Sequence, residues 1–247
     1  MKNRLLAAIL ITYTLLATTY SLTSPIFEVS DELWHYPMVK FIADNADLPV
    51  QDPANPGPWR QEGSQPPLYY MIGAALTFWI DTSDMPQVRQ VNPHADIGVV
   101  RPDRNVNMIV PQPRVNDLPW HGTKLAVHVV RLFSVVLGIG TVYVTYQLGR
   151  ALFPEWEAVS LVAAALVAFL PMFLFIHGSV NNDALSNFLG NLITLTLVRI
   201  LLRETAPTIR DYLLLGVIVG TGLLAKGSIG FMVFVVAFVL LILAIRY

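Results

Sequence analysis

The sequence predicts an all-α integral membrane protein with about six transmembrane helices and a juxtamembrane helix in a long first extracytoplasmic loop. Of the 247 residues, 54% are hydrophobic and 13% are charged, whereas soluble domains carry about 25% charged residues. Fourteen of the 17 prolines and 12 of the 17 acidic residues lie between positions 25 and 124. The chain therefore divides into a first helix (1–24), a polar loop (25–124) and a five-helix bundle (125–247).

The apolar runs have the lengths that membrane crossings require, about 20 residues each. A cleaved signal peptide is the alternative for the first run, but no small-x-small cleavage pattern follows it. The last run, 212–245, would form a helix of about 51 Å and must fold back. We place its break at Lys226 and the flanking glycines. The predicted spans are 5–23, 125–148, 158–176, 184–202 and the two halves of 212–245.

Basic residues set the orientation, because cytoplasmic loops are enriched in lysine and arginine. With six spans, the basic residues at the span ends all fall on one side: Lys2, Arg4, Arg150, Arg199, Arg203, Arg210 and Arg246. Both termini are then cytoplasmic and the 25–124 loop is extracytoplasmic. Residues 66–80 are apolar, but a crossing there would invert the later loops. We therefore expect an interfacial helix, with Tyr69, Tyr70 and Trp79 at headgroup level.

Charge and cysteine content exclude several functions. A formal net charge of −1 provides no basic field for a nucleic-acid backbone, so no nucleic-acid partner is expected. The chain has no cysteine, which excludes disulfides, thiolate metal sites and thiol nucleophiles. No cofactor is expected; the alternative is a divalent metal ion held by Asp31, His35 and Asp183, although these residues lack a dedicated ligand spacing.

Two acidic residues begin a predicted helix directly after the first span. Asp31 and Glu32 follow Ser30, the predicted N-cap, and His35 lies one turn after Asp31. The acids either complement the helix dipole or perform chemistry, since a carboxylate beside the membrane is costly to desolvate.

Further polar residues lie at the predicted outer face of the bundle. Asp183 lies at the outer end of a polar stripe that we expect to face the bundle interior. The alternative role of the stripe is to hold neighbouring membrane helices together. Lys226 and Arg131 are cations that either pair with an acid or bind the phosphate of a lipid-linked substrate. The stripe consists of Asn187, Asn191 and Thr194.

Five short motifs follow one another along the chain: Asp31-Glu32, Gln61-Glu62-Gly63-Ser64-Gln65-Pro66-Pro67-Leu68-Tyr69-Tyr70, Arg131-Leu132-Phe133-Ser134, Asn181-Asn182-Asp183 and Ala225-Lys226-Gly227. In this order they resemble the motifs of the polytopic GT-C glycosyltransferases, above all the protein O-mannosyltransferase and aminoarabinose transferase group. The resemblance implies a GT-C-like N-terminal module in a bacterial inner membrane, transferring a sugar from a polyprenyl-phosphate donor to an extracytoplasmic acceptor.

The resemblance also implies roles for individual residues. Asp31 is the candidate catalytic base, and Glu32 and Asp183 are supporting acids. Two residues depart from the family's pattern. Gln65 stands just before Pro-Pro, where relatives often have a basic residue or histidine, and Trp34 stands three residues after Asp31, where some have an arginine. A lipid phosphate leaves without protonation, so one base and one or two cations suffice, and direct displacement would invert the anomeric carbon. Candidate donor or phosphate ligands are Lys226, Arg131, Glu62 and His35.

The chain ends where the sixth predicted span ends, whereas enzymes of this family usually continue with further spans and an acceptor-binding domain. We therefore expect either the N-terminal module of a glycosyltransferase or a catalytically inactive accessory subunit of a larger membrane complex. Expected partners are a lipid-linked sugar donor, membrane lipids and, in the second case, other membrane subunits.

Overall fold

The computed structural model describes residues 2–95, 107–110 and 118–247, so two parts of the predicted 25–124 loop lie outside it. In the described ranges the regular structure is helical, as predicted, and Val91 and Ile109 form an isolated antiparallel bridge. Two 3-10 helices cover Arg60–Ser64 and Gly227–Ile229. The α-helices are α1 (Lys2–Thr23), α2 (Glu32–Asn45), α3 (Leu68–Thr77), α4 (Met85–Val88), α5 (Gly122–Leu152), α6 (Glu157–Ala168), α7 (Pro171–His177), α8 (Asp183–Leu201), α9 (Ile209–Ala225) and α10 (Gly230–Arg246).

Several helices carry the length and composition of membrane spans. Within the described ranges four segments are long and apolar enough to cross: Arg4–Thr23, Gly122–Leu152, Asp183–Leu201 and Gly227–Arg246. A fifth arises if α6 and α7 form one span, although they are bent by 61°. The continuous helix predicted over 158–176 is therefore broken. Pro171, which has no backbone N–H to continue the helix, begins the second half.

The predicted fold-back after α9 is confirmed. α9 ends at Ala225, and α10 returns towards the end of the bundle from which α9 starts. Arg246 Nη1 donates to the Leu201 carbonyl at 2.9 Å, and the Tyr247 hydroxyl donates to the Arg203 carbonyl at 3.2 Å. Both acceptors lie just before α9 in the chain, so α9 and α10 run in opposite directions.

α5 is the central helix of the bundle. It packs against α1, α3, α6, α7 and α8, and the apolar core lies between these helices. The outward faces carry large apolar side chains, such as Phe231 and Phe234 of α10, which are 72% and 73% exposed. Such extended apolar surface is typical of a lipid-facing protein, and the chain is an integral membrane protein.

The two loop helices differ from prediction in detail. α3 matches the predicted helix but starts at Leu68, after both prolines, and its Tyr69 and Tyr70 are fully buried instead of lying at headgroup level. Their hydroxyls bond to polar groups inside the protein, which explains the burial. The N-cap of α2 is Asp31 and not Ser30, because Ser30 adopts a left-handed φ of 43°.

Candidate active site

A fully buried ion pair joins α2 to α5. Arg131 Nη2 lies 2.7 Å from Glu32 Oε1, and Arg131 Nε lies 2.8 Å from Oε2, which makes the pair bidentate. Both side chains are 0% exposed. The backbone N–H groups of Phe27 and Val180 donate to Oε1 and Oε2, each at 2.8 Å. Each carboxylate oxygen of Glu32 thus accepts two hydrogen bonds, and the side chain has no face open to a substrate.

The remaining donors of Arg131 hold the chain between α1 and α2. Nη1 donates to the Ser21 and Ser24 carbonyls at 2.6 and 2.8 Å, and Nη2 donates to the Pro25 carbonyl at 3.1 Å. Together with the two bonds to Glu32, these use all five guanidinium N–H groups. Arg131 therefore keeps no donor for a phosphate, and pairing with an acid is the arrangement that the structure shows.

Asp31 is the exposed acid of the predicted pair. No group of the described residues donates a hydrogen bond to its carboxylate. Its backbone is fixed, because its carbonyl accepts from the N–H groups of Trp34 and His35 at 2.9 and 3.0 Å. Phe27 and Ser30 precede it in left-handed conformations, with φ of 67° and 43°. The buried ion pair thus supports a strained turn that presents a free carboxylate.

A chain of buried polar groups lies beside Asp31. His35 Nδ1 is 2.8 Å from the Tyr70 hydroxyl, which donates to Glu62 Oε2 at 3.4 Å. Burial, and then the charge of Lys226, lowers the pKa of His35 to about 3, so its imidazole is neutral at physiological pH. Burial, and then the charge of Asp31, raises the pKa of the Glu62 carboxyl. The 3.4 Å contact between His35 and Glu62 is therefore not an ion pair.

Asp183 and Lys226 form a second, more open ion pair. Lys226 Nζ lies 2.6 Å from Asp183 Oδ1, and their side chains are 23% and 41% exposed. Asp183 begins α8, and Lys226 lies between α9 and the 3-10 turn. Gly227 borders open space, since a methyl group placed on it would meet no atom within 4 Å. One lysine N–H is engaged by Asp183, and two remain for a ligand.

Hydrogen bonds from the Pro-Pro motif connect these parts. The Tyr69 hydroxyl bonds to Ser134 Oγ at 2.7 Å and accepts from the Asn181 N–H at 3.1 Å. Asn182 Nδ2 donates to Gln65 Oε1 at 3.5 Å. Sequence reasoning missed Tyr69 and Ser134 as connecting residues, although both lie within quoted motifs.

The candidate residues therefore fall into an interior and an open group. Glu32 and Arg131 are interior, and Glu62 and His35 are almost fully buried next to them. Asp31, Asp183 and Lys226 are accessible. In residues 2–95, 107–110 and 118–247, no group of three histidine or acidic side chains is placed to hold a metal ion.

The polar stripe of α8 does not face the bundle interior as predicted. Asn187 is exposed, and Asn191 Nδ2 donates to the Asn187 carbonyl at 3.0 Å, within the same helix. Thr194 likewise bonds to the Gly190 carbonyl. The fully buried face of α8 is apolar and includes Leu189 and Ile193, so Asn191 and Thr194 lie half-buried at its edge.

Comparison with known proteins gives one family. The sequence profile described as dolichyl-phosphate-mannose-protein mannosyltransferase matches residues 120–246, which is 127 of the 247 residues. The match includes Arg131, Asp183 and Lys226, and it starts after Asp31 and Glu62. No curated protein and no solved structure matches the chain.

Proposed function

Because the chain belongs to the dolichyl-phosphate-mannose-protein mannosyltransferase family, we propose that it transfers a sugar from a polyprenyl-phosphate donor to an extracytoplasmic acceptor. It does so alone or as the N-terminal module of a longer enzyme. The observation that carries this proposal is the free Asp31 carboxylate on a fixed turn, in a group of residues that also holds the accessible Lys226.

The proposed reaction is a direct displacement. Asp31 takes the proton of the acceptor hydroxyl as the oxygen attacks the anomeric carbon. The bond from that carbon to the phosphate oxygen breaks, and the polyprenyl phosphate leaves with the electron pair. The proton ends on Asp31, and the anomeric configuration inverts. No acid is needed for the leaving group, because a phosphate is a stable anion at neutral pH.

Lys226 is the proposed phosphate ligand. Its two remaining N–H groups and the exposed turn at Gly227 provide donors on one side of the open ion pair. Asp183 keeps the ammonium in place before the donor binds. The neutral His35 adds no competing positive charge nearby.

Glu32 and Arg131 are proposed as positioning residues. Their bonds reach the end of α1, the turn before Asp31 and the Val180 N–H before α8. Removing either charge would disturb the turn that carries Asp31 and the start of the helix that carries Asp183. Their effect on transfer is therefore indirect.

We place this site on the extracytoplasmic side. Four long apolar segments, the α6–α7 pair taken as one span, and α9, whose 17 residues span about 26 Å, give six crossings. The arginines at the span ends then share the cytoplasmic side. The polar loop, Asp183 and Lys226 lie on the opposite side. In this topology α3 lies along the outer membrane surface without crossing.

One observation favours a second candidate function. Asn187 is exposed on an apolar helix that is long enough to cross the membrane, and amide side chains in membrane helices commonly bond to neighbouring helices. An accessory subunit of a membrane complex would cover this residue with a helix of its partner. Co-purifying membrane subunits, with no transfer product, would support this alternative.

The experiment is a transfer assay with the purified chain and a panel of polyprenyl-phosphate sugars. We expect product from at least one donor and a rate about 10² to 10⁴ lower for Asp31→Asn. Asp44→Asn is the matched control, because Asp44 lies on the same helix and its exposed carboxylate bonds, among the described residues, to Lys40 alone. Equal rates for the two variants would contradict the assignment of Asp31.

A further inference from the structure

A cavity of about 350 Å³ lies in the polar loop, beside the candidate active site. Leu33 and Trp34 of α2 and Met108 form apolar parts of its lining, and Arg60 and Arg89 are its charged residues. Trp34 follows Asp31 by three residues, and Arg60 precedes Glu62 by two. The cavity therefore shares α2 and the 3-10 helix Arg60–Ser64 with the candidate site.

Neither arginine has an acidic partner among the residues that the structure describes. Within residues 2–95, 107–110 and 118–247, no carboxylate lies at ion-pair or hydrogen-bond distance from Arg60 or Arg89. Burial, and then the positive charge of Arg60, lowers the pKa of Arg89 to about 10. Two like charges thus lie close together at a cavity, and an anion bound there would offset their repulsion.

The Arg89 guanidinium is held in place before any ligand binds, whereas the Arg60 side chain is exposed and contacts the Trp34 ring. Arg89 Nε donates to the Leu33 carbonyl at 2.9 Å and Nη2 to the Pro58 carbonyl at 3.0 Å, so the N–H groups of Nη1 stay available. The Arg60 guanidinium lies over the Trp34 ring, 5.2 Å from its centre. The backbone of Arg60 has a left-handed φ of 47°, and its carbonyl accepts from Gln51 Nε2 at 2.9 Å.

We propose that this cavity binds an acidic sugar, a pyranose that carries a carboxylate or a phosphate group. The planar guanidinium fork of Arg60 matches the oxygen pairs of both anions, and Arg89 Nη1 adds a further donor. Val91 and Met108 also line the cavity and provide an apolar surface for the C–H face of the sugar ring. That the cavity is the acceptor site rests on the proposed function, because an acceptor sugar bound there would lie near Asp31. The binding itself needs no transfer activity.

Calorimetric titration of the full chain in phosphatidylcholine nanodiscs tests this site. The probes are glucuronate and glucose 6-phosphate, with glucose as the neutral reference. We expect at least one anion to bind at least about tenfold more tightly than glucose, and its affinity to fall with added salt. A carboxylate or phosphate preference would identify the group without changing the proposal.

Variants of Arg60 separate charge from packing. Arg60→Asn tolerates the left-handed backbone and should weaken anion binding about tenfold or more. Arg60→Lys keeps the charge and should recover part of the affinity. Arg210→Asn, an exposed arginine on α9, is the matched control and should bind as the unaltered chain does. Equal binding of glucose and both anions, or unchanged binding by Arg60→Asn, would overturn the proposal whether or not the chain transfers sugar.

Discussion

Replacing Glu32 by glutamine should destabilise the fold more than replacing Asp31, Asp44 or Asp183 by asparagine. The glutamine places an amide N–H₂ against two donors and leaves the Arg131 guanidinium buried without a counter-charge. Breaking a fully buried ion pair typically costs about 3–5 kcal/mol. Total unfolding free energies are about 5–15 kcal/mol, so Glu32→Gln removes a large fraction of the stability.

Thermal unfolding in detergent, followed by circular dichroism, measures this effect. For a chain of this size each kcal/mol corresponds to about 2–4 °C, so the midpoint should fall by roughly 6–20 °C. Asp183→Asn is the matched control, because its ion pair with Lys226 is partly exposed and should contribute about 1 kcal/mol or less. A midpoint for Glu32→Gln at or above that of Asp183→Asn would refute the structural role of the buried pair.

Three further outcomes are expected. Between pH about 6.5 and about 3, the unfolded chain binds a proton at His35 that the folded chain does not, so lowering the pH reduces the unfolding free energy by up to about 1.4 kcal/mol per pH unit. Between about pH 7 and about pH 5, the unfolding free energy of His35→Asn should therefore depend less steeply on pH than that of the unaltered chain. An equal dependence would contradict the buried neutral imidazole. Tyr70→Phe removes the hydroxyl between His35 and Glu62 and should lower the unfolding free energy by about 1–3 kcal/mol; an unchanged midpoint would mean that the hydroxyl contributes nothing. Single cysteines at Ser64 and Ser83 should both react with an impermeant reagent from the extracytoplasmic side, and labelling from opposite sides would contradict the topology.

The helical architecture was largely predictable because apolar run length and proline position act locally. The break at Lys226 followed from two glycines and a charge in an otherwise apolar run, and α9 ends there. The bend at Pro171 and the burial of Tyr69 were missed. Each depends on which helices pack around it, and hydrophobicity alone does not contain that information.

The candidate site was predictable as a set of residues but not as a set of contacts. Sequence placed Glu32, Arg131, Asp183 and Lys226 on one face and left open whether the cations bind phosphate or acids. The structure pairs Arg131 with Glu32 across 99 positions and Lys226 with Asp183 across 43. Such pairing is set by tertiary packing, and the net charge of a sequence does not reveal which acid faces which cation.

Single-turnover kinetics across a range of donor concentrations distinguishes the proposed roles of Asp31 and Lys226, because it separates donor affinity from the rate of the chemical step. We expect Asp31→Asn to keep the donor affinity and to lower the rate constant by about 10² to 10⁴. We expect Lys226→Gln to weaken donor affinity first, because the proposed ligand of Lys226 is the phosphate in both ground and transition states. Equal losses of affinity and rate for both variants, or no loss for either, would contradict a site built from the Asp31 base and the Lys226 phosphate ligand.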